Sequence, residues 1–384
     1  MKYLFFVMLI LVAESSCSTV NKNEHKPLIP ENLISVKLDN IFTGVASDQT
    51  KADIQYLLYG LKNAYVGRVV FNEDQWQIFL KKIELLSLLK FDNINSFCEA
   101  IDTVLDSLPD NHLKTNSCGI RKKPTLRIGK NVAGTQVWKI STIPKNVGLI
   151  GISTFPSKNN KLWNGFAESF KKIEKTKALI IDLRGNGGGD DSMGRRLAKF
   201  LLGQECPPMV FKKITSQTPE TFALYLNEVL SEIDYLKKNK KDVPAYLTDE
   251  QTQWEEKFVN SKKGQYPPIE TKSFSRKAVD KKMIHYNKPL YVLADQGCGS
   301  SCESTIDALR SHPRFILVGK NTKGQHAFGN VLPITLPNSK IEILLASHHL
   351  KFIDKANIEK TGFHPSIIVR DDEDALSHVL EIIR

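Results

Sequence analysis

After its first residues the sequence contains no long apolar run: Tyr3 to Ala13 gives eleven, and nothing later approaches the roughly 20 that cross a bilayer of about 30 Å. A bundle of membrane-spanning helices is excluded. Cysteine is scarce, with six in 384 residues, and no Cys, His and carboxylate spacing looks like a zinc site, so no metal is expected. The glycines form neither the Gly-Lys-Ser/Thr end of a P-loop nor a Gly-x-Gly-x-x-Gly turn, which leaves nucleotides without their phosphate cradle; no cofactor is expected. There is no internal repeat and no low-complexity tract. Lys and Arg outnumber Asp and Glu by 53 to 42, a net charge of +11. The lysines are scattered, however, and the densest runs, Lys237 to Lys241 and Lys281 to Lys282, have no interleaved aromatic residues. They read as a solvated basic surface, and no nucleic-acid partner is expected.

What is present is the composition of a folded chain, 41% apolar and 25% charged, long enough for two or three domains. Met1-Lys2, the apolar run and the small residues around Ser15 to Thr19 read as a secretory signal peptide, residues 1–18. Cys17 stands where a bacterial lipoprotein carries its lipid, with Glu14 where an aliphatic residue is usual. Export to the periplasm or medium is expected, with membrane anchoring through Cys17 as the alternative. Cys98, Cys118, Cys206, Cys298 and Cys302 then lie in a compartment that permits disulfides, and their odd number leaves at least one unpaired within the chain.

Apolar residues recur at helical spacing in Ile54, Leu57, Leu58 and Leu61, in Trp76, Phe79, Leu80 and Ile83, and in Phe97, Ile101, Val104, Leu105 and Leu108. These predict a helical domain over 30–110. From Val147 short apolar runs alternate with amphipathic helices: strands at Val147 to Phe155, Ala178 to Leu183, Leu290 to Ala294 and Phe315 to Val318, helices from about Leu162, Ser192 and Ser300. That alternation predicts an α/β unit over 111–384 with both faces of its sheet covered, and an α+β chain as a whole. A polar stretch at 205–285, helical over Pro219 to Leu236 and Glu250 to Phe258, is read as a helical insertion, either a lid or a surface excursion.

Two strand-to-helix turns carry chemistry. Leu183-Arg184-Gly185-Asn186-Gly187-Gly188-Gly189 turns sharply and leaves N–H groups unobstructed, so it can hold an oxyanion; as structure alone it is a tight turn. Asp295-Gln296-Gly297-Cys298-Gly299-Ser300-Ser301-Cys302-Glu303 can lift a serine hydroxyl above the sheet edge while the next N–H faces the same space. Taken alone, Ser300 or Ser301 would be a helix cap.

Together and in this order the two turns resemble the C-terminal processing (tail-specific) peptidases and their tricorn-core-like relatives, whose catalytic core is ClpP/crotonase-like. The first turn resembles the family's Asp-Leu-Arg-x-Asn-x-Gly-Gly, and Ser300-Ser301-Cys302-Glu303 resembles its Ser-Ala-Ser-Glu, whose first serine is the nucleophile. Val318-Gly319-Lys320-Asn321-Thr322-Lys323-Gly324 resembles the following Val-Gly-x-x-Thr-x-Gly. One branch places a lysine base directly after that glycine; here the residue is Gln325, whose amide cannot take a proton, and Lys323 lies two residues away. The other branch takes its base from a Leu-x-Asp-x-His stretch, matched by Leu108-Pro109-Asp110-Asn111-His112, and orients it with a glutamate in Glu-x-x-Gly-x-x-Pro, matched from Glu359 to Pro365. The resemblance implies an exported serine endopeptidase acting on proteins or peptides, with Ser300 as nucleophile, His112 as base and Glu359 as its orienting group. Ser301 and a glycine of the first turn, Gly188 or Gly187, would form the oxyanion hole. Asp110 competes with Glu359 for the orienting role.

Cys298 and Cys302 flank the expected nucleophile, where the resembled motif has small residues; four apart at a helix start, they can bridge, remain free, or pair with Cys206. Cys98 and Cys118 bracket the His112 segment in the same way. The peptide-binding PDZ domain of the lysine branch has no room in the roughly 35 residues between His112 and Val147. The alternative function is a catalytically inactive protein of the same fold that binds a peptide, a lipid or a cell-wall ligand.

Overall fold

The structure, a computed structural model, describes residues 47–116, 118, 137–156, 163–205, 210–274, 280–352 and 358–383. The expected leader, Cys17 and Cys206 lie outside the described residues.

The chain first forms α1 (Ser47–Asn63), α2 (Glu73–Leu86) and α3 (Ile94–Leu105). Asn72 and Asn93 start the second and third by accepting N–H bonds that the first helical turn cannot satisfy itself. The periodic residues Ile54, Leu57, Leu61, Phe79, Ile83, Phe97 and Ile101 are all buried. They belong to one apolar cluster that continues through Phe328 and Ile343 to Leu183 and Ile306, so the helices share their core with the rest of the molecule.

Beyond them come β1 (Lys114–Thr115), β2 (Trp138–Ile143), β3 (Val147–Ile152), α4 (Phe166–Phe170), β4 (Ala178–Asp182) and α5 (Asp191–Leu202). The 205–285 stretch follows as β5 (Val210–Ser216), α6 (Pro219–Lys238), α7 (Ala245–Lys262) and β6 (Ile269–Ser273). The chain closes with β7 (Leu290–Ala294), α8 (Ser301–Leu309), β8 (Phe315–Gly319), β9 (Phe328–Thr335), β10 (Glu342–Phe352), β11 (Ile367–Ile368) and α9 (Ala375–Ile382).

One sheet has the order β11-β8-β7-β4-β3-β2, parallel except where β2 runs against β3. Its central strands read Ala-Leu-Ile-Ile and Leu-Tyr-Val-Leu-Ala, with no polar alternation, because helices cover both faces and every one of those side chains is buried. Val379 of α9 packs on one face with Ile180 and Leu293, while Leu197 and Leu201 of α5 and Ile306 of α8 pack with Ile181 and Val292 on the other. The second sheet is antiparallel: β10 pairs with β9 along one side and with β1 and then β5 along the other, and β6 pairs with β5. The two helices expected in 205–285 are present, but the stretch enters and leaves as strands β5 and β6 of this second sheet. The Ile-Glu-Thr-Lys-Ser of β6 is an exposed edge without an apolar face, which is why its sequence reads as a loop.

Candidate active site

Strands β4 and β7 are parallel neighbours, with Asp182 opposite Leu293, so the turns that follow them emerge side by side at the carboxyl end of the sheet. In doubly covered sheets that end is where ligands bind. Side-chain hydrogen bonds fasten the turns together. Asn186, fully buried, donates its amide to Ile152 O (3.0 Å) and accepts the Gly188 N–H (2.9 Å), while its carbonyl accepts the Gly299 N–H (3.2 Å). Asp295 Oδ1 accepts from both Gly185 N (2.9 Å) and Gly297 N (2.8 Å). Gly188 lies directly against the second turn: a Cβ there would sit 2.9 Å from Ser301 N and 3.0 Å from Ser300 Cβ.

Ser300 is the residue before α8 and has φ 56° and ψ −120°, a backbone conformation that a non-glycine residue adopts only when its surroundings hold it there. The following N–H, of Ser301, is at the first helical position and has no acceptor within its own helix. A serine at a strained strand-to-helix corner with such an amide beside it has the backbone form of a nucleophile elbow.

His112 is buried in a turn at the end of the helical region, and Asp110, His112 and Glu359 bring one nitrogen or carboxylate oxygen each within 4.8 Å of one another. Asp110 accepts from Tyr65 Oη (2.8 Å), His112 N (2.7 Å) and Leu113 N (3.2 Å), which folds the turn around its carboxylate. Glu359 accepts from Asn111 N (2.7 Å) with one oxygen and Ala327 N (2.9 Å) with the other. Burial pushes the Asp110 carboxyl up to about 6 against these donors. Burial, and then the charge of Asp110, pushes Glu359 up to about 8. A His with two carboxylates is a donor set that could hold a divalent cation; the carboxylates also accept hydrogen bonds, Asp110 from Tyr65, His112 and Leu113 and Glu359 from Asn111 and Ala327, which fixes their orientation beside the imidazole.

The His112 turn is tied to the Ser300 turn through the 323–325 loop. Gln325 donates its side-chain amide to Asn111 O (2.8 Å) and its backbone N–H to Glu303 (2.7 Å); Glu303 also accepts from Gly324 N (2.7 Å), Thr322 Oγ1 (2.5 Å) and Ser300 N (3.3 Å). Asn111 Nδ2 returns to the carbonyls of Lys323 (3.1 Å) and Gly324 (3.0 Å).

A family model described as peptidase family S41 matches residues 146–369, more than half of the chain and both turns with Glu359. The chain belongs to peptidase family S41. It is a serine peptidase. Among solved structures it is similar to a candidate peptidase of Parabacteroides merdae at 15% identity, covering 86% of this chain and 96% of that one with a TM-score of 0.52. It is similar to a point mutant of CPAF at 14% identity, covering 88% and 96% with a TM-score of 0.52. The photosystem II D1 C-terminal processing protease aligns at 14% identity over 88% of this chain and 97% of its own, with a TM-score of 0.44. Among curated proteins none matches.

Within this S41 peptidase Lys323 is exposed, its N–H on Cys298 O (2.8 Å) and its side-chain carbons along Gly299. Gln325, at the lysine position of the resembled dyad, is a tie between turns. The N–H of Gly188 is already donated to Asn186, whereas Gly187 is exposed and its N–H has no partner among the described residues. His312, another buried histidine, is held by the Arg314 N–H and Tyr286 O inside the core. Three residues escape a reading of the sequence as contributors to the site: Asn186, Tyr65 and Glu303. The available signal for Glu303 is its position three residues after Ser300, the spacing of a capping box.

Both cysteine pairs bridge: Cys298 to Cys302, across Ser300, and Cys98 to Cys118, each with Cα atoms 5.4 Å apart. The first bridge braces the corner that strains Ser300. The double change Cys298→Ala/Cys302→Ala should therefore lower kcat/KM on the order of tenfold, since displacement of a reacting atom by a fraction of an ångström suffices for that. Reductant should lower the wild type at least as far, and any further loss in the variant reports the Cys98–Cys118 bridge; equal activity of the unreduced wild type and variant would remove the Cys298–Cys302 bridge from the site's mechanics.

Proposed function

We propose that this peptidase is an exported endopeptidase that cleaves peptide bonds through Ser300, His112 and Glu359. His112 takes the Ser300 proton as the hydroxyl attacks the carbonyl, and returns it to the leaving amine; water then releases the acyl-enzyme by the same exchange. Glu359 is assigned the orienting role because Asp110 accepts three donors, two from its own turn and one from Tyr65, while Glu359, arriving from a separate segment, accepts two. The oxyanion is assigned to the N–H groups of Ser301 and Gly187, with Gly188 packed between the turns. The observation that carries the reading is the strained backbone of Ser300 at the start of α8.

Two disulfides support export, since such bridges persist in oxidising compartments, together with the apolar leader. A domain division follows from this reading: leader 1–18, helical region 30–110 and peptidase core 111–384.

A fluorophosphonate probe tests the chemistry. Phosphonylation at Ser300 in the wild type, lost in His112→Ala, is the expected result. A folded protein that remains unlabelled, and that binds peptides without cutting them, would make it the non-catalytic binder.

A further inference from the structure

Three buried donors converge at the His112 turn. Asp110, His112 and Glu359 are 1%, 7% and 4% exposed, and one carboxylate oxygen or imidazole nitrogen from each lies within 4.8 Å of the others. Among the described residues no other three side chains of metal-ligating type come together in this way. Donors bound to one tetrahedral ion at about 2.0–2.2 Å stand roughly 3.4 Å apart, so side-chain movements of about 1 Å or less close this cluster on an ion.

The carboxylates are aimed by donors that leave them able to ligate. His112 N and Leu113 N donate to Asp110 Oδ1 and Tyr65 Oη to Asp110 Oδ2, while Asn111 N and Ala327 N donate to the two oxygens of Glu359. A carboxylate oxygen has lone pairs for two partners, and Asp110 Oδ2 accepts one of these bonds, as does each Glu359 oxygen. The cluster lies one residue below the surface, since Pro109 and Lys360 are exposed and Asn111 is half-buried, so an ion has a short way in.

Charge favours a cation here. Burial, then the charges of Asp110 and Glu303, push the Glu359 carboxyl up, so three carboxyl groups act on one another. Lys360, whose charge opposes the burial of Asp110, is itself paired with Asp106 at 2.8 Å. A divalent cation bound between Asp110 and Glu359 would neutralise two buried carboxylates at once.

We propose that Asp110, His112 and Glu359 bind a divalent cation of the zinc class and that this cation switches the peptidase off. The switch rests on the reading of His112 as base to Ser300. One imidazole nitrogen with two carboxylates suits zinc or cobalt(II), whereas magnesium and calcium take larger, all-oxygen sets. On binding, one His112 nitrogen gives its lone pair to the metal, the carboxyls give up any proton they hold, and water completes the four ligands. The other ring nitrogen then carries the proton, so the imidazole has no lone pair for the Ser300 hydroxyl and the serine stays protonated. No covalent bond of the protein changes, and a chelator reverses the block.

Ser300→Ala separates binding from catalysis. Titrated with zinc in a calorimeter, and with cobalt(II) followed by its visible absorption, this variant should take up one ion. Adding His112→Ala or Asp110→Asn to it should each weaken uptake by about tenfold or more, the scale of disturbing a metal's immediate surroundings. In the wild type, fluorophosphonate labelling of Ser300 should slow by about tenfold or more under saturating zinc and recover with EDTA, with equal magnesium or calcium having no effect. Asp110→Asn, scored by the ratio of its labelling rates with and without zinc, should need about tenfold more zinc for the same ratio. Zinc uptake that survives both His112→Ala and Asp110→Asn unchanged belongs to other side chains and overturns the site, as does undiminished labelling of the wild type at zinc levels that saturate Ser300→Ala. Zinc-dependent peptide cleavage that persists in Ser300→Ala would overturn the block and the serine mechanism together. Uptake lost in His112→Ala, in a folded protein whose wild type the probe never labels, would leave the cation site standing and remove the peptidase reading instead.

Discussion

Replacing His112 by alanine should lower kcat/KM for peptide cleavage by about 10³- to 10⁴-fold, the scale of removing one member of a serine triad, and Ser300→Ala should do the same. Lys323→Ala should stay within about threefold. The contrast follows from position: Lys323 is exposed and contributes its stem to Gly299, while His112 shares a buried cluster with two carboxylates. Gln325→Ala should lose about tenfold, because its amide holds the Asn111 carbonyl and with it the turn that carries His112. Near wild-type turnover in His112→Ala with loss in Lys323→Ala would reverse the assignment. The same cluster sets a pH signature. A working base requires neutral His112 and ionised Glu359, and Glu359 is pushed up to about 8 by burial and by Asp110. Activity should then rise with pH and level only near 8, above an ordinary imidazole at about 6.5. Stability should move the other way. A carboxyl raised from 4.5 to about 8 holds in the native state a proton that the unfolded chain releases, so its contribution is present below about pH 4.5 and lost as pH rises through 8. Melting temperatures of the wild type and Glu359→Gln across that window check the sign: the variant's curve should be the flatter.

Much of this site is legible in the sequence because local sequence and local geometry coincide. The buried strands β4 and β7 are uninterrupted apolar runs, and each is followed at once by glycines, so the residue order by itself implies two turns at the end of one sheet. The disulfide across Ser300 is one of three states that the spacing leaves open, a local bridge, free thiols or a pairing with Cys206, and the fold selects it. What is not legible depends on partners far apart in the chain. Tyr65 reaches Asp110 across 45 residues, and Asn111 reaches Glu359 across 248. Glu303 reads as a helix cap until the 322–325 loop, about twenty residues on, delivers three donors to it; burial alone would push this carboxyl up, and those donors oppose it. The second sheet escapes for another reason. Its β6 edge is polar and solvent-exposed, and an alternation rule sees strands only where one face is apolar.

Gly188→Ala should cost on the order of 100-fold or more in kcat/KM. Two penalties coincide at this position. Its φ of +101° lies in the region that L residues rarely adopt, a strain of about 1–3 kcal/mol. Its Cβ would also stand 2.8 Å from Gly299 O, 2.9 Å from Ser301 N and 3.0 Å from Ser300 Cβ, and two of these three are backbone atoms that no rotamer can withdraw. The added methyl must therefore push the two turns apart at Ser300 and at the Ser301 amide, and about 1 Å of such displacement accounts for a factor of 100. Gly185→Ala separates the penalties. It too has a positive φ, +70°, but nothing lies within 4 Å of its Cβ position, so it carries the backbone strain without the collision. That variant should lose about 1–2 kcal/mol of stability and keep activity within about threefold. If the collision is what matters, only Gly188→Ala loses fluorophosphonate labelling of Ser300 at temperatures where both variants remain folded. Equal losses in both would mean that the glycines serve only to let the chain turn, and the close packing of Gly188 on Ser300 would have no part in aiming the hydroxyl.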